Sequence, residues 1–432
     1  MADGLAVAAG SAERWRAMRA VLTANRHELG RVAAGLYPEH PRAGPADLLC
    51  REEWLPGAPL GLDDLPVAWD GSLPAGDDPG TDGDGPGPGG HSPGPGGDGR
   101  RAGPTGRYGA ASEHVRPLRP GGGRYASYTD AVGALDRPAL FENRPCYRLL
   151  DARLAAPAGL RIGETSYFEG IDLGHAVAHE LAAAWRRSGD AVRMTDLPLR
   201  ALAGDPCALA RRPALVAVTT LTLRRDAAGG ASFVLHWRDP AKVNHGGGLY
   251  QVMPVGLFQP VTEAAAALGH DLSLWKSMAR EFSEEFLGTP EDYQTSGGLL
   301  DYEGWPFYRR LTAARREGRL AVHCLGLGVD PLTFATDVLA VAVFDAPLFD
   351  AEFAGLVALN AEGRVITRDG DGGGTRGGST GDGTRAGAGG GPAGIPFTAE
   401  TVARLTGGLE PLQASGTAVL NLAWEHRAQL LG

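Results

Sequence analysis

Glu281, Glu284 and Glu285 are the residues of this chain whose type and spacing most directly permit chemistry. They stand in Leu274-Trp-Lys-Ser-Met-Ala-Arg-Glu-Phe-Ser-Glu-Glu-Phe-Leu-Gly288, which reads as one helix with Asp271 or Ser273 as N-cap and Gly288 as its stop. Positions i, i+3 and i+4 put the three carboxylates on one helix face. Like charges so placed repel by a few tenths of a kcal/mol per pair, so the cluster either faces solvent or holds a cation, and hard oxygen ligands suit Mg2+ or Mn2+. A second group, His175, His179 and Glu180, has its histidines at i, i+4. A zinc-protease helix reads HExxH, however, and this one reads HxxxHE with no third ligand in view, so these side chains are expected to cap, hydrogen-bond or face water.

The elements that must position the glutamates surround them in order. Leu274, Met278, Phe282 and Phe286 recur every four residues and form an apolar stripe that docks the helix. Upstream, Leu215 to Arg224 and Ala231 to Arg238 are two β-rich runs joined by Asp226-Ala-Ala-Gly-Gly, a hairpin, and a third strand over Leu249 to Pro260 is interrupted at Pro254 and Gly256. Downstream, Pro306 to Gly318 is expected to be helical. Ala321 to Val329 and Asp337 to Asp345 read as buried strands, the second nearly all apolar and so central in its sheet. The apolar spacing also predicts a helix over residues 12–36, a strand near Arg144 to Leu154 and a helix after Gly170.

Composition restricts the function classes. The chain of 432 residues holds 65 Gly and 31 Pro, concentrated in Gly71 to Gly109 and in residues 369–394, two tracts too poor in apolar side chains to fold. Four units are expected: an N-terminal helix and wrapping segment over 1–69, a disordered linker over 70–112, an α/β extension over 113–207, and a domain over 208–432 that carries the second tract as a loop. Lys242 and Lys276 are the only lysines, a bias that fits a GC-rich, bacterial genome. A net charge of -10 argues against a broad nucleic-acid footprint, although arginines make residues 12–36 locally basic. Cys50, Cys146, Cys207 and Cys324 match no zinc or redox spacing and read as reduced, buried thiols. With neither a signal-peptide pattern nor an apolar run of about 18 residues, the expectation is a cytoplasmic protein with no membrane partner.

Hairpin, glycine-bearing strand, carboxylate helix, further strands and a C-terminal helix, in that order, resemble the Nudix hydrolase family. Arg280-Glu281-Phe282-Ser283-Glu284-Glu285-Phe286-Leu287-Gly288 is similar to the second half of the Nudix box, REUxEExGU, and Pro254-Val-Gly256 stands where that family commonly has PGG. The resemblance covers roughly residues 208 to 432 and implies an α+β fold with an α/β/α sandwich around a mixed sheet. It also implies a small-molecule ligand of the nucleoside-diphosphate type and a Mg2+ or Mn2+ ion. Glu284 and Glu285 would be the principal metal ligands, Glu281 a further ligand or base, and Arg280 an ion-pair partner for a glutamate. The first half of the box requires Glu eight positions before Arg280, where this chain has Leu272, with Glu263 in an inserted segment nearby; Gly288 falls one residue late. The competing expectation is therefore a ligand-sensing or regulatory module without catalysis. Arg238, with Asp239, Lys242 and His245, is a candidate for phosphate or base contact, Tyr250, Phe258 and Trp305 for base stacking, and Asp330 to Asp337 for lining the site.

Overall fold

Two helices open the chain, α1 (Ala2–Ala24) and α2 (Arg26–Gly35), in place of the single helix expected over 12–36. The break falls at Asn25, whose φ of -118° leaves the helical basin. Its side-chain amide donates to Val21 O at 2.8 Å, a local bond that competes with helix continuation. The computed structural model describes residues 2–70, 108–138, 141–239, 247–290, 295–296, 298–357, 363–367, 394–408 and 411–432. Most of both Gly/Pro-rich tracts, and the loop with Lys242 and His245, lie outside the described residues.

Strands β1 (Leu60–Gly61) and β2 (Val67–Trp69) precede the first tract. After it come α3 (Tyr128–Leu135), the antiparallel pair β3 (Pro145–Arg153) and β4 (Gly159–Ser166), and the long helix α4 (Tyr167–Ser188). Helix α4 begins with a reciprocal cap in which Ser166 accepts from Glu169 N and the Glu169 carboxylate accepts from Ser166 N. A short helix, α5 (Pro198–Ala203), ends this half.

The remainder starts with β5 (Val216–Arg225), β6 (Ala231–Phe233), β7 (Leu235–Arg238), β8 (Tyr250–Val252) and β9 (Val255–Leu257). Helices α6 (Ala265–His270) and α7 (Leu274–Glu281), the small pair β10 (Thr295–Ser296) and β11 (Leu299–Leu300), and helix α8 (Pro306–Arg316) follow. Then come β12 (Leu320–Val329), β13 (Thr336–Asp345), α9 (Ala346–Glu352), β14 (Gly363–Ile366) and β15 (Ile395–Pro396). The chain closes with α10 (Ala399–Thr406), α11 (Ala414–Glu425) and α12 (Arg427–Leu431).

The architecture is α+β with a mixed principal sheet. Strand β13 runs parallel to β5 and antiparallel to β12, whose far edge takes β1. The other edge of β5 is shared: its start pairs with β9 and its end with β6, which in turn pairs with β15. Strand β13 is buried from Thr336 to Phe344, as its apolar run predicts for a central position. Helices cover both faces. Phe344 meets Phe282 at 5.4 Å between ring centroids, on the side of α7 and α9, whereas Asp337, seven residues earlier on the strand, faces Ser415 of α11. An odd separation along a strand puts two side chains on opposite faces.

The larger apolar core draws residues from Trp15 to Leu430, and a second cluster joins Leu22, Leu29 and Val32 to Leu181 and Leu332. Leu49 exchanges backbone hydrogen bonds with Val329 at 2.9 and 2.8 Å. Two buried arginines from the N-terminal half grip the loop between β12 and β13. Arg200 donates to Pro331 O at 2.5 Å and Leu332 O at 2.8 Å, and Arg212 donates to Phe334 O at 2.7 Å. Phe334 itself takes a left-handed φ of 61°, a conformation a bulky residue keeps only when its surroundings impose it.

Candidate functional site

Packing rather than charge decides where the carboxylate helix sits. Phe282 and Phe286 are fully buried and meet Phe344, Phe349 and Phe353 at ring separations of 4.6 to 6.3 Å. Burying each Phe is worth about 1.5–3 kcal/mol, well above the few tenths that the neighbouring glutamates cost. The α-helical segment ends at Glu281, and Phe282–Phe286 form a π-helical turn before Gly288, at φ 68°, closes it. The wider turn takes Glu284 and Glu285 off the register that would align all three carboxylates.

Glu285 is buried, and its Oε1 accepts from Val255 N at 2.9 Å while Oε2 lies 4.0 Å from Nδ1 of buried His236. Glu281, half-buried, rests on β9: a Cβ built on Gly256 would fall within its carboxylate. Glu284 is half-buried one turn on. The three side chains do not bring their oxygens within 4.8 Å of one another as a set; among the described residues, a trio of His, Cys, Asp and Glu ligand atoms that close occurs only at His40, Asp205 and Cys207.

Arg280 is buried and donates to Gln259 O at 2.7 Å, tying α7 to the chain just past β9. Its guanidinium also lies 4.0 Å from the Asp271 carboxylate. Asp271 is fully buried, with Oδ1 accepting from Tyr302 OH at 2.9 Å and Oδ2 from Val261 N at 2.9 Å. Burial opposes the charge on Arg280, yet Tyr302, Asp271, Glu281 and Glu284 together hold its guanidinium above the usual range. Leu272 packs against the core, and Glu263 is exposed in the loop before α6. Neither the role of Asp271 beyond capping nor that of Tyr302 is visible in the sequence pattern.

The other expected site residues divide. Pro254 and Gly256 lie beside the glutamates, and Pro254 O accepts from Thr220 N at 2.9 Å. Phe258 does not reach a ligand surface: it is fully buried with its ring 4.4 Å from that of Tyr147, because it falls on the stretch of chain that enters the core. Tyr250 is 9% exposed, with its backbone held between Pro411 and Gln413. Arg238 is half-buried at the end of β7 and its charge reaches Asp337.

Asp337 sits on the opposite face of the sheet from Gly256, in a second polar group. Thr219 Oγ1 donates to its Oδ1 at 2.7 Å, and Gln251 Nε2 donates to the neighbouring Ser415 Oγ at 2.9 Å. Burial raises the Asp337 carboxyl to about 7. In the N-terminal half, His175 and His179 are buried, and burial holds both near 3, hence neutral. His179 Nδ1 shares a hydrogen bond of 2.9 Å with Tyr128 OH, while Glu180 accepts from Leu199 N and Arg200 N at the start of α5. All four cysteines are buried and unpaired. No helix among the described residues is long and apolar enough to cross a membrane. Comparison with known protein families yields no matching family, and comparison with curated proteins yields no match.

Proposed function

We propose that the chain is a divergent Nudix-like protein that binds a nucleoside-diphosphate-type ligand with Mg2+ or Mn2+ beside β9 and hydrolyses it. The observation that supports this reading is the docking of the carboxylate helix on Val255 and Gly256, with Glu285 bonded to Val255 N and Glu281 against Gly256. Mg2+ in such sites needs one or two carboxylates, the rest of its shell being water and phosphate oxygens. Half-buried Glu281 and Glu284, whose charges also act on Arg280, would supply them, and buried Glu285, bonded to Val255 N, positions the helix. When bound, the cation would neutralise charge on the phosphate oxygens and acidify a water. Arg280, joined to Gln259 O and facing Asp271, fixes the orientation of the turn that carries Glu281. The late Gly288 agrees with the same reading, since a π-helical turn absorbs one extra residue.

A second reading, a ligand sensor on the same fold, draws on Asp271. It stands next to the position where the family's box has its first glutamate, but with both carboxylate oxygens engaged inside the core it supplies no further ligand. One experiment separates the two. Phosphate release is screened over nucleoside diphosphate derivatives with Mg2+ or Mn2+, alongside metal-dependent thermal shifts. Hydrolysis predicts turnover that falls by about 100-fold or more in Glu281→Gln and Glu284→Gln; a thermal shift without release selects the sensor, and neither response removes the proposed site altogether.

A further inference from the structure

We propose that His40, Asp205 and Cys207 form a second cation site, of mixed sulfur, nitrogen and oxygen donors, that takes Zn2+ or a similar borderline divalent ion. Their donor atoms lie within 4.8 Å of one another. Tetrahedral zinc, with bonds of ~2.0–2.3 Å, requires donors roughly 3.3–3.8 Å apart, so small side-chain rotations close the shell. His40 Nε2 is already 3.0 Å from Asp205 Oδ1, Glu39 Oε1 lies 3.6 Å from the same nitrogen at the rim, and a water would complete the four-coordinate shell.

The surroundings have the form of a built site. Cys207 is buried at the base, the His40 side chain is 12% exposed, that of Asp205 37% and that of Glu39 64%, so the site opens outward toward solvent. Arg51 Nη2 donates to Asp205 Oδ2 at 3.1 Å and Cys207 N donates to Oδ1 at 2.7 Å, which together fix the plane of the carboxylate. Outer contacts of this sort orient ligating carboxylates. Donor softness separates the site from the glutamates of α7: thiolate and imidazole favour Zn2+, carboxylates alone favour Mg2+ or Mn2+. The ion would join the segment after α2 to the loop that leads into Arg212, and through Arg212 to the Phe334 turn.

Cobalt substitution of the full-length protein tests the assignment. Wild type should bind one equivalent of Co2+ with a thiolate-to-metal charge-transfer absorption, which the oxygen-only glutamates cannot produce. Cys207→Ser should lose that absorption, Cys50→Ser should keep it, and His40→Gln should weaken binding at least ~10-fold. If Cys207→Ser fails to fold by circular dichroism, the 113Cd chemical shift of cadmium-loaded wild type reports sulfur ligation without any substitution. Absence of charge transfer and of a sulfur-ligated cadmium signal in wild type, or charge transfer that persists in folded Cys207→Ser, overturns the proposal.

Discussion

Among single residues, Asp337 is the carboxyl that folding changes most clearly. Burial between Thr219 and Ser415 raises it from 3.8 to about 7. An acid raised in the folded state stabilises the fold while protonated, so its contribution is complete below pH 3.8 and is lost as pH climbs through 7. Asp337→Asn keeps the neutral form at every pH. Urea midpoints measured across this window should therefore fall for wild type relative to the variant, with a slope approaching 1.4 kcal/mol per pH unit at most; parallel profiles would show that Asp337 does not titrate there. In the sequence this residue is only one end of a turn motif. Its burial arises from a strand and a helix 78 residues apart, Asp337 and Ser415, which no local spacing encodes.

At the scale of elements, the docking of α7 on β9 is the joint that matters for the proposed diphosphate site. Gly256 permits it, since a methyl group there would occupy the space of the Glu281 carboxylate. Because that neighbour is the far end of a flexible side chain, Gly256→Ala should cost only about 1 kcal/mol of stability, read from the urea midpoint. It should nevertheless abolish any Mg2+-dependent thermal shift by turning Glu281 aside. An unchanged shift would place the cation elsewhere. The helix was legible in the sequence from its four-residue apolar stripe and its Ser273 cap, which accepts from Lys276 N as that pattern requires. The π-helical turn was not, because the carboxylate spacing is compatible with either helix and only the packing of Phe282 and Phe286 selects the wider one.

At the scale of the molecule, the two halves share a core and hold one another's loops. Arg200 and Arg212, both buried, satisfy carbonyls of the β12–β13 loop from the other half of the chain. A buried carbonyl left without its donor costs about 1–3 kcal/mol. A fragment comprising residues 208–432 retains Arg212 but loses Arg200 and the strand beside β12, exposing apolar surface that the full chain covers. It should be insoluble or unfold without a cooperative transition, whereas the full chain melts in one. A fragment with a sharp, independent melt would instead support a division into separate domains.

Periodicity and turn chemistry alone determined β5, β12, the central place of β13 and the α-helical part of the carboxylate helix, since each depends on a pattern of neighbours within about ten residues; they did not show β4, nor the division of Ala231–Arg238 and of Leu249–Pro260 between two sheets. Tertiary structure alone decided that Asp271 comes within 4.0 Å of Arg280, that Phe258 is core, that Asp337 lies across the sheet from Gly256, and that His40 meets Cys207. Those contacts join segments far apart in the chain. Their geometry is set by the packing of whole elements, to which no single stretch of sequence carries the answer.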